Sequence, residues 1–391
     1  MNETVYQKAL ECIGDGTTYP ILYNDEVNVP AVQTAYNLPE DEAQRYVPYG
    51  CGEYVIYNKS FGTRSGAINF LFGLNQMLDL DGHNYLEECE TFDAFYDRYM
   101  KEMEYHIEQL AYQEKLEYDV CGEDAPFLFF SILFDDCLER GLPVFAGGIR
   151  YLQGVLEGYG NTNTTDSLTA IKTLVYEQKR ISPKQLTEAL KANFVGYEEI
   201  RELLLIAPKF GNDDPIADDI AIRFHNDICH IIRNCAAKAG LHSYLMVVIN
   251  NETNVAMGNY TGASADGRLA NTYMANANNP VGGMDKNGIT AILNSLLKLR
   301  PDYHAGSAQN MRFSKEMFGK YMPKTKGLLQ AYFEKGGSQT MITVLNRGDL
   351  ERAMIEPDKY RNLIVRVGGF SARFVELSKN TQKELLSRTL Y

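Results

Sequence analysis

Apolar residues recur at intervals of three and four positions in six stretches of the chain, with polar residues between them. This spacing places the apolar side chains along one face of a helix. The patterns predict helices over residues 67–80, 93–115, 125–141, 166–180, 182–194 and 218–240. The first stretch stops at Asp81-Gly82, and the Ser182-Pro183 pair is typical of a helix start. The stretch 125–141 is so rich in Phe, Leu and Ile that it predicts a buried helix.

Shorter runs rich in β-branched and aromatic residues lie between and after these helices. They predict strands at residues 242–250, 338–346 and 363–367. Short strands that alternate with long helices indicate an α/β fold, either a barrel or a sheet wrapped by helices. The chain shows no internal repeat, low-complexity tract or linker. We therefore expect a single domain over residues 1–391.

Composition excludes several classes of partner. The 391 residues include 38 Lys and Arg against 51 Asp and Glu, a net charge of −13, whereas binding to nucleic acid requires a basic face. No apolar run approaches the ~18 residues of a membrane span, and the first residues do not resemble a signal peptide. Seven cysteines without tight pairing indicate reduced thiols. The sequence therefore predicts a cytoplasmic protein with no membrane or nucleic-acid partner.

The stretch VPYGCGEY, residues 47–54, places Cys51 between two glycines, and Glu53 follows two positions later. Glycines on both sides of a cysteine permit another part of the molecule to approach it closely. In an extended loop, residues i and i+2 point to the same side, so the Cys51 thiol and the Glu53 carboxylate are expected to face one substrate. The alternative is a structural Glu53 that accepts hydrogen bonds from backbone N–H groups of the loop.

A second glycine pair, Gly368-Gly369, lies between the predicted strand 363–367 and a polar C-terminal helix. Taken alone, such a pair is most simply a bend or a β-bulge. Only 22 residues follow Gly369 (391 − 369), and 318 positions separate it from Cys51 (369 − 51). The glycine pair and the cysteine loop are therefore far apart in sequence, at opposite ends of the chain.

Together, the two stretches resemble the glycyl radical enzymes, the family of pyruvate formate-lyase and of the diol and choline lyases. The family has a Gly-Cys-x-Glu loop, which is similar to residues 50–53 here. Near its C-terminus it has the signature Arg-Val-x-Gly-Tyr/Phe-Ser/Ala, to which corresponds the run Arg366-Val367-Gly368-Gly369-Phe370-Ser371-Ala372. Segments between them, such as AGGIRY, DSLTAIKTLVYE and PKFGNDD, also look similar, so the resemblance covers nearly the whole chain.

The resemblance implies an α/β fold that corresponds to the C-terminal half of such an enzyme. This half is the second half of a ten-stranded barrel surrounded by helices, with a C-terminal loop for the glycine radical. It places the cysteine loop near residues 47–63 and the glycyl radical domain near 260–391. Family members are considerably longer. Three explanations stand for the difference: a split subunit whose partner supplies the N-terminal half, a truncated product, or a compact variant that oligomerises over an apolar edge.

The resemblance also implies the chemistry of the two loops. Gly369 would store the radical, since an unpaired electron on a glycine Cα delocalises along a planar backbone. The Cys51 thiol would pass a hydrogen atom to Gly369 and become the thiyl radical that attacks the substrate. No cofactor would be bound, because a radical S-adenosylmethionine activating enzyme installs the radical. The residues that support the radical loop would be Arg366, Val367, Gly368, Phe370 and Ser371; Arg366 either holds the loop by hydrogen bonds or pairs with an acid.

A base beside the thiyl site is useful when a substrate radical loses a proton and a leaving group. The family resemblance and Glu53 therefore predict a lyase or dehydratase that cleaves C–O, C–N or C–C bonds in a small polar substrate. Acyl transfer, as in formate acetyltransferase, is one alternative, although both neighbours of Cys51 are glycine rather than cysteine. The other alternative is a non-catalytic subunit that completes or repairs another glycyl radical protein. The usual eliminase loop is Gly-Cys-Val-Glu, so Gly52 leaves the subgroup open.

Two further motifs contain residue types that occur in metal sites or dinucleotide sites. The helix over 218–240 carries four residues of metal-ligand type, but they do not share one face, so we expect no metal site; they are His225, Cys229, His230 and Cys235. The glycine-rich stretch 282–288 lacks the order of strand, GxGxxG and helix that a dinucleotide site requires.

Overall fold

The computed structural model describes residues 2–62, 64–78 and 83–391, in which helices and strands are mixed along the chain. The α-helices are, in chain order, α1 (Glu3–Gly14), α2 (Asp25–Tyr36), α3 (Glu40–Ala43), α4 (Phe70–Leu78), α5 (Tyr85–Glu88), α6 (Phe92–Glu123), α7 (Leu128–Ser131), α8 (Asp135–Arg140), α9 (Asn161–Ala170), α10 (Pro183–Lys191), α11 (Glu198–Ile206), α12 (Pro215–Lys238), α13 (Thr253–Asn259), α14 (Ile289–Leu297), α15 (Met322–Glu334), α16 (Arg347–Ile355) and α17 (Lys379–Ser387).

The strands are shorter than the helices and lie in several small sheets. They are β1 (Leu22–Tyr23), β2 (Tyr46–Tyr49), β3 (Glu53–Ile56), β4 (Ser60–Phe61), β5 (Arg64–Asn69), β6 (Tyr151–Tyr159), β7 (Ser243–Val247), β8 (Asn310–Phe313), β9 (Gln339–Val344), β10 (Ile364–Arg366) and β11 (Ser371–Arg373). The predicted α/β class is confirmed. In the described part of the chain the strands form open sheets rather than a closed barrel.

A parallel sheet with β6 at its centre forms the largest layer. One side of β6 pairs first with β4 and then with β5, and the other side pairs with β7. The long helices α6 and α12 pack against each other and onto this sheet. A second sheet joins β8 and β9 in parallel, with β1 antiparallel to β9. A bridge between Val248, the residue after β7, and Ser307, in the segment before β8, connects the two sheets.

Most of the predicted helices and strands are confirmed, with shifted ends. The helix predicted over 93–115 extends over the whole of α6, and the start at Ser182 is a capping box that Gln185 completes. The helix predicted over 166–180 is the C-terminal part of α9 followed by a π-helix over Ile171–Glu177. The three predicted strands are β7, β9 and β10.

The prediction for residues 67–80 is wrong at its start, because residues 67–69 belong to strand β5 and the helix begins at Phe70. The rest of that prediction, residues 79–80 and the stop at 81–82, lies outside the described residues. The buried helix predicted over 125–141 is also wrong. Phe127 has a left-handed backbone with φ of 48°, which separates Pro126 from α7, and two short helices follow instead of one. Phe129 is 81% exposed, so this apolar stretch lies on the surface of the described chain.

None of the helices in the described ranges is both long enough and apolar enough to cross a bilayer. Several apolar clusters hold the described elements together, and three of them position the site. The largest fills the space between the parallel sheet and its helices, and a second lies around β8 and β9. A third, small cluster supports the C-terminal hairpin and comprises Leu345, Leu350, Ala353, Val365, Val367, Phe374 and Leu385. The hairpin that carries Gly369 therefore has an apolar base of its own.

Candidate active site

Cys51 lies at the tip of a hairpin. Strands β2 and β3 pair antiparallel up to Tyr49 and Glu53, and the three residues between them form the turn. Gly50 and Gly52 have φ of 56° and 126°, a region that glycine adopts without steric penalty. The Gly52 N–H donates to the Tyr49 carbonyl at 3.0 Å. The expected extended loop is therefore wrong: residues 50–52 turn tightly, which projects Cys51 outward.

The Glu53 side chain folds back over this turn. Its Oε2 accepts a hydrogen bond from the Cys51 N–H at 2.7 Å, and the backbone N–H groups of Gly52 and Glu53 also bond to the carboxyl group. Burial raises the pKa of Glu53 to about 7, against the effect of these backbone hydrogen bonds. The carboxyl group thus stabilises the turn, as the structural interpretation requires. A pKa near neutral is also the value that suits a general acid–base.

The two glycines at the C-terminus lie at the tip of the β10–β11 hairpin. Arg366 pairs with Ser371, and the Val367 N–H donates to the Phe370 carbonyl at 3.0 Å, which leaves Gly368 and Gly369 as the turn. The pair is therefore a hairpin turn and not a bulge.

The space around this tip explains both glycines. A Cβ atom at residue 368 would lie 1.9 Å from the Asn250 carbonyl oxygen. A Cβ atom at residue 369 would lie 2.0 Å from the Cys51 Cβ and 2.6 Å from its Sγ. Neither position has room for a side chain, because atoms at such distances overlap. The two hairpins meet tip to tip, with Gly369 directly against Cys51.

A third segment, residues 305–306, holds the cysteine hairpin in place. The Tyr54 N–H donates to the Ala305 carbonyl at 2.8 Å. A Cβ atom at Gly306, where φ is 126°, would lie 2.2 Å from the Gly52 carbonyl oxygen. Residues 305–306 precede the bridge at Ser307 that connects the two sheets. The two sheets therefore fix the position at which Cys51 contacts Gly369.

The Cys51 thiol is held by groups from two different segments. Its Sγ donates to the Asn251 Oδ1 at 2.5 Å, and the Gly369 backbone N–H bonds to the same sulfur. Burial raises the pKa of the thiol to about 11, and the negative charges of Glu53 and Glu157 act in the same direction. The thiol therefore stays protonated at neutral pH. An S–H bond is what hydrogen-atom transfer uses, whereas a nucleophilic cysteine requires a lowered pKa.

The residues that were predicted to support the radical loop take different positions. The Arg366 Nη2 donates to the Gly369 carbonyl at 2.9 Å and its Nη1 to the Ser371 Oγ at 3.1 Å. The structure thus places Arg366 where a loop-holding residue would lie, with its guanidinium 4.7 Å from the centre of the Tyr19 ring. Val367 is buried, while Phe370 is 37% exposed on the outer side of the tip.

Sequence reasoning missed three residues of this site: Tyr23, Glu157 and Asn251. Asn251 follows a predicted strand at its carboxyl end, where ligand sites of α/β sheets occur, and this position was an available signal. Tyr23 lies in a strand of two residues, and a Cβ at Gly52 would lie 3.5 Å from its Oη. No sequence pattern marks such a short strand. Glu157 lies in β6, which the patterns did not predict.

The other candidate motifs lie away from the two hairpin tips. His225 is buried, with its Nε2 3.2 Å from the Arg300 carbonyl oxygen and 3.9 Å from the Cys229 Sγ. Burial lowers the pKa of His225 to about 4. Within the described ranges, no group of three or more His, Cys, Asp or Glu side chains is arranged to hold a metal ion. Residues 282–288 lie in turns ahead of α14.

Comparison with known proteins assigns the two hairpins to one family. The family model described as pyruvate formate lyase-like matches residues 1–258, which include Cys51. The family model described as glycine radical matches residues 274–375, which include Gly369. The chain belongs to the glycyl radical enzyme family. The expected fold of this family is confirmed, because solved structures of the family superpose on the whole chain.

Relatives of this glycyl radical chain include enzymes with different substrates. Trans-4-hydroxy-L-proline dehydratase of Clostridioides difficile is 29% identical over 98% of this chain and 50% of its own length. An isethionate sulfite-lyase of Oleidesulfovibrio alaskensis is 31% identical over 97% of this chain and 48% of its own. The solved B12-independent glycerol dehydratase of Clostridium butyricum is 29% identical with a TM-score of 0.94, over 100% of this chain and 51% of its own. The chain therefore spans about half the length of these relatives.

Proposed function

We propose that this chain is the radical-carrying, catalytic part of a glycyl radical lyase or dehydratase. Gly369 stores the radical and Cys51 forms the thiyl radical. The observation that carries this proposal is the contact between the two hairpin tips, where residue 369 has no room for a Cβ atom beside the Cys51 sulfur. The family membership and the dehydratase and lyase relatives support it.

The proposed cycle conserves atoms and electrons. The Gly369 Cα radical takes the hydrogen atom of the Cys51 S–H bond, which leaves a thiyl radical. The thiyl radical takes a hydrogen atom from a substrate carbon, and the substrate radical then loses its leaving group and a proton. The product radical recovers the hydrogen atom from Cys51, and the thiyl radical finally regains one from Gly369. The contact of the two tips excludes water from the transfer between them.

Glu53 accepts the proton in this cycle. Its pKa of about 7 makes the carboxyl group partly ionised at neutral pH, which suits a group that takes up and releases a proton in each turnover. Acyl transfer to an adjacent cysteine is less well supported, since both sequence neighbours of Cys51 are glycine. The substrate class proposed at this level is a small polar molecule with a leaving group.

We also propose two protein partners. The first is a radical S-adenosylmethionine activating enzyme, which would remove the hydrogen atom from Gly369. The β10–β11 hairpin, with its small apolar cluster, is the unit that such an enzyme would reach. The second is a polypeptide equivalent to the remaining half of the solved relatives, whether joined to this chain or supplied as a separate subunit.

The open edge of the parallel sheet supports this second partner. Among the described residues, β5 pairs only with β6, so its other edge is available for pairing. A groove of about 520 Å³ runs beside this edge, between β5, α4 and α6. Its apolar lining comprises Ala67, Ile68, Phe72, Met77, Met103 and Leu110. The combination of an open strand edge and an apolar groove fits one further strand with its helix.

Electron paramagnetic resonance after anaerobic activation tests the proposed function. We expect a doublet from the single α-hydrogen of Gly369, and we expect air to cleave the activated chain there and release about 22 residues (391 − 369). Gly369→Ala should give no doublet. Gly327→Ala is the matched control, since a Cβ at this helical position has no heavy atom within 4 Å. A doublet that persists in Gly369→Ala would assign the radical to another residue.

A further inference from the structure

Glu157 is a buried carboxylate in the central strand of the parallel sheet. It is 0% exposed, and it lies two residues before the carboxyl end of β6. Its partners in register are Ala67 on β5 and Val247 on β7. Laterally paired residues point to the same face of a sheet, so two small apolar side chains flank this carboxylate. The longer Glu157 side chain therefore extends further from the sheet than its two lateral neighbours do.

The face of β6 that carries Glu157 meets the cysteine hairpin. Side chains alternate along a strand, so Gln153 and Val155 lie on the same face as Glu157. A Cβ atom at Gly62 would lie 3.1 Å from the Val55 Cγ1, 3.5 Å from the Gln153 Oε1 and 3.7 Å from the Val155 Cγ2. Since Val55 belongs to β3, this face of β6 lies against the hairpin that ends in Cys51.

Chain direction brings Glu157 toward the tip of that hairpin. The turn at residues 57–59 reverses the chain between β3 and β4, and β4 runs parallel to β6. Strand β3 therefore runs opposite to β6. Moving from Val55 back to Glu53 along β3 is the same direction in space as moving from Val155 forward to Glu157 along β6. In agreement, the charge of Glu157 raises the pKa of both Cys51 and Glu53.

Two carboxyl groups, those of Glu53 and Glu157, therefore lie on the side of the Cys51 thiol. Arg366, the cation of the glycine hairpin, is engaged by hydrogen bonds to the Gly369 carbonyl and the Ser371 hydroxyl. Charges of one sign near a reacting group attract substrates of the opposite sign and repel those of the same sign. The two carboxyl groups thus favour a substrate that carries a positive charge near the reacting carbon.

We propose that Glu157 binds an ammonium group of the substrate and that the chain acts on a small amine or amino alcohol. The proposal rests on the proposed function and narrows its substrate class. It separates this chain from the isethionate sulfite-lyases among its relatives, whose named substrate carries a sulfonate. Glu53 remains the proton acceptor, and Glu157 holds the cation.

Ligand binding to the unactivated protein tests this inference without any turnover. Three probes share a hydroxyethyl group and differ only in the second substituent: ethanolamine, ethylene glycol and isethionate. We expect the wild-type protein to bind ethanolamine most tightly and isethionate least tightly, measured by ligand-detected NMR titration. Glu157→Gln should weaken ethanolamine binding by about tenfold to a hundredfold, the usual effect of losing a hydrogen bond between charged groups. Its affinity for ethylene glycol should stay within about twofold.

Glu114→Gln is the matched control. Glu114 is also a buried carboxylate, but a Cβ at Gly154 would lie 2.7 Å from its Oε1, which places it against the opposite face of β6. This variant should bind all three probes as the wild type does. Wild-type protein that does not bind ethanolamine, or that prefers isethionate, overturns the proposal, as does a folded Glu157→Gln variant with unchanged ethanolamine affinity. If Glu157→Gln does not fold by circular dichroism, the wild-type ranking of the three probes decides. Failure here leaves the glycyl doublet of Gly369 unaffected, so the two proposals fail separately.

Discussion

Burial acts in the same direction on two groups at the tip of the cysteine hairpin, with different consequences. It keeps the Cys51 thiol protonated, with a pKa of about 11, and it raises the pKa of Glu53 to about 7. A thiol that holds its hydrogen can donate it as an atom. A carboxyl group with a pKa near neutral can take up a proton at the same pH. One buried turn therefore carries both groups that the proposed cycle requires, a hydrogen-atom donor and a proton acceptor.

Cys51→Ser separates storage of the radical from its use. The serine O–H bond is too strong for reversible hydrogen-atom transfer to glycine, so turnover should be abolished. The glycyl doublet at Gly369 should remain, because the activating enzyme acts on the glycine directly. Electron paramagnetic resonance and product formation, measured on the same activated sample, check both parts. A serine variant with full activity would place the thiyl radical on another cysteine.

Glu53→Gln removes the proposed proton acceptor and retains the shape of the side chain. Turnover should fall by roughly 10²–10⁴-fold, the usual range for a lost general acid–base. The glycyl doublet should persist, since Glu53 takes no part in storing the radical. In the wild type, kcat/KM should rise as pH increases through about 7, because the base must be ionised; the variant should lack this rise. A variant that keeps both the rate and the pH profile contradicts the assignment.

Glu53 also makes stability depend on pH. Its folded pKa of about 7 lies above its ordinary value of 4.5, so the folded state binds the proton more tightly than the unfolded state does. This contribution to the free energy of unfolding is fully present below pH 4.5 and is lost as pH rises through 7, in total about 3 kcal/mol. Urea unfolding of the wild type and Glu53→Gln between pH 5 and 8 should show a difference that shrinks as pH rises. An unchanged difference would mean that the carboxyl group titrates normally.

At the scale of elements, the site depends on three segments that approach one another without side chains. The cysteine hairpin contacts the glycine hairpin at Gly369 and residues 305–306 at Gly306, where an added Cβ would lie 2.0 Å and 2.2 Å from the nearest atom of the cysteine hairpin. Arg388, the residue after helix α17, adds a hydrogen bond of 2.6 Å to the Val367 carbonyl and is paired with Glu384 of that helix. The C-terminal segment of the chain therefore helps to hold the glycine hairpin in place.

Gly368→Ala should move the glycine hairpin away from its neighbours. The added Cβ would lie 1.9 Å from the Asn250 carbonyl oxygen, and backbone cannot yield as a flexible side chain does. We expect a loss of about 1–3 kcal/mol in the free energy of unfolding, as for other overpacked positions. Gly327→Ala, in open space on α15, should instead be neutral or stabilising by up to ~1 kcal/mol. Similar unfolding midpoints for the two variants would contradict the tight seating of the tip.

The sequence predicted some elements of the site and not others, for physical reasons. The motifs around Cys51 and Gly369 are local, so they could be read directly, and periodic helices such as α12 could be placed. Strand β6 carries Gly154 and is buried on both faces, so it lacks both the alternation and the propensity that mark a strand. Glu157 was missed with it. The contact between the tips depends on tertiary packing, which no local pattern contains. The catalytic roles and the single domain remain predictions.

At the scale of the whole molecule, the described chain exposes two apolar regions of a kind that folded proteins rarely leave uncovered. The stretch 125–141, predicted to be buried, is largely exposed in the described chain, and the groove beside β5 is apolar. Apolar composition is the same for a core segment and for a segment that another polypeptide covers, so the sequence alone could not separate these cases. Because the chain spans about half the length of its relatives, we favour the case in which another polypeptide covers these segments.

The isolated chain should therefore self-associate through the groove beside β5. Phe72 lines this groove and is 45% exposed, so Phe72→Glu should place a charge there and weaken association by at least about tenfold. Tyr260→Glu, at an 83% exposed aromatic residue outside the groove, is the matched control and should associate as the wild type does. Sedimentation velocity over a range of concentrations measures both. Equal association of the two variants would move the contact to another surface.

The hydrogen bond from the Cys51 N–H to the Glu53 carboxylate has a consequence for timing. A carboxylate accepts such a bond more strongly than a protonated carboxyl group does. In the proposed cycle, each proton that Glu53 takes from a substrate would therefore loosen the turn that carries the sulfur, and each proton it releases would tighten the turn again. The reach of the thiyl radical would then vary within a cycle, loosest just after the leaving group departs. The position of the loop would therefore follow the protonation state of Glu53 during each cycle.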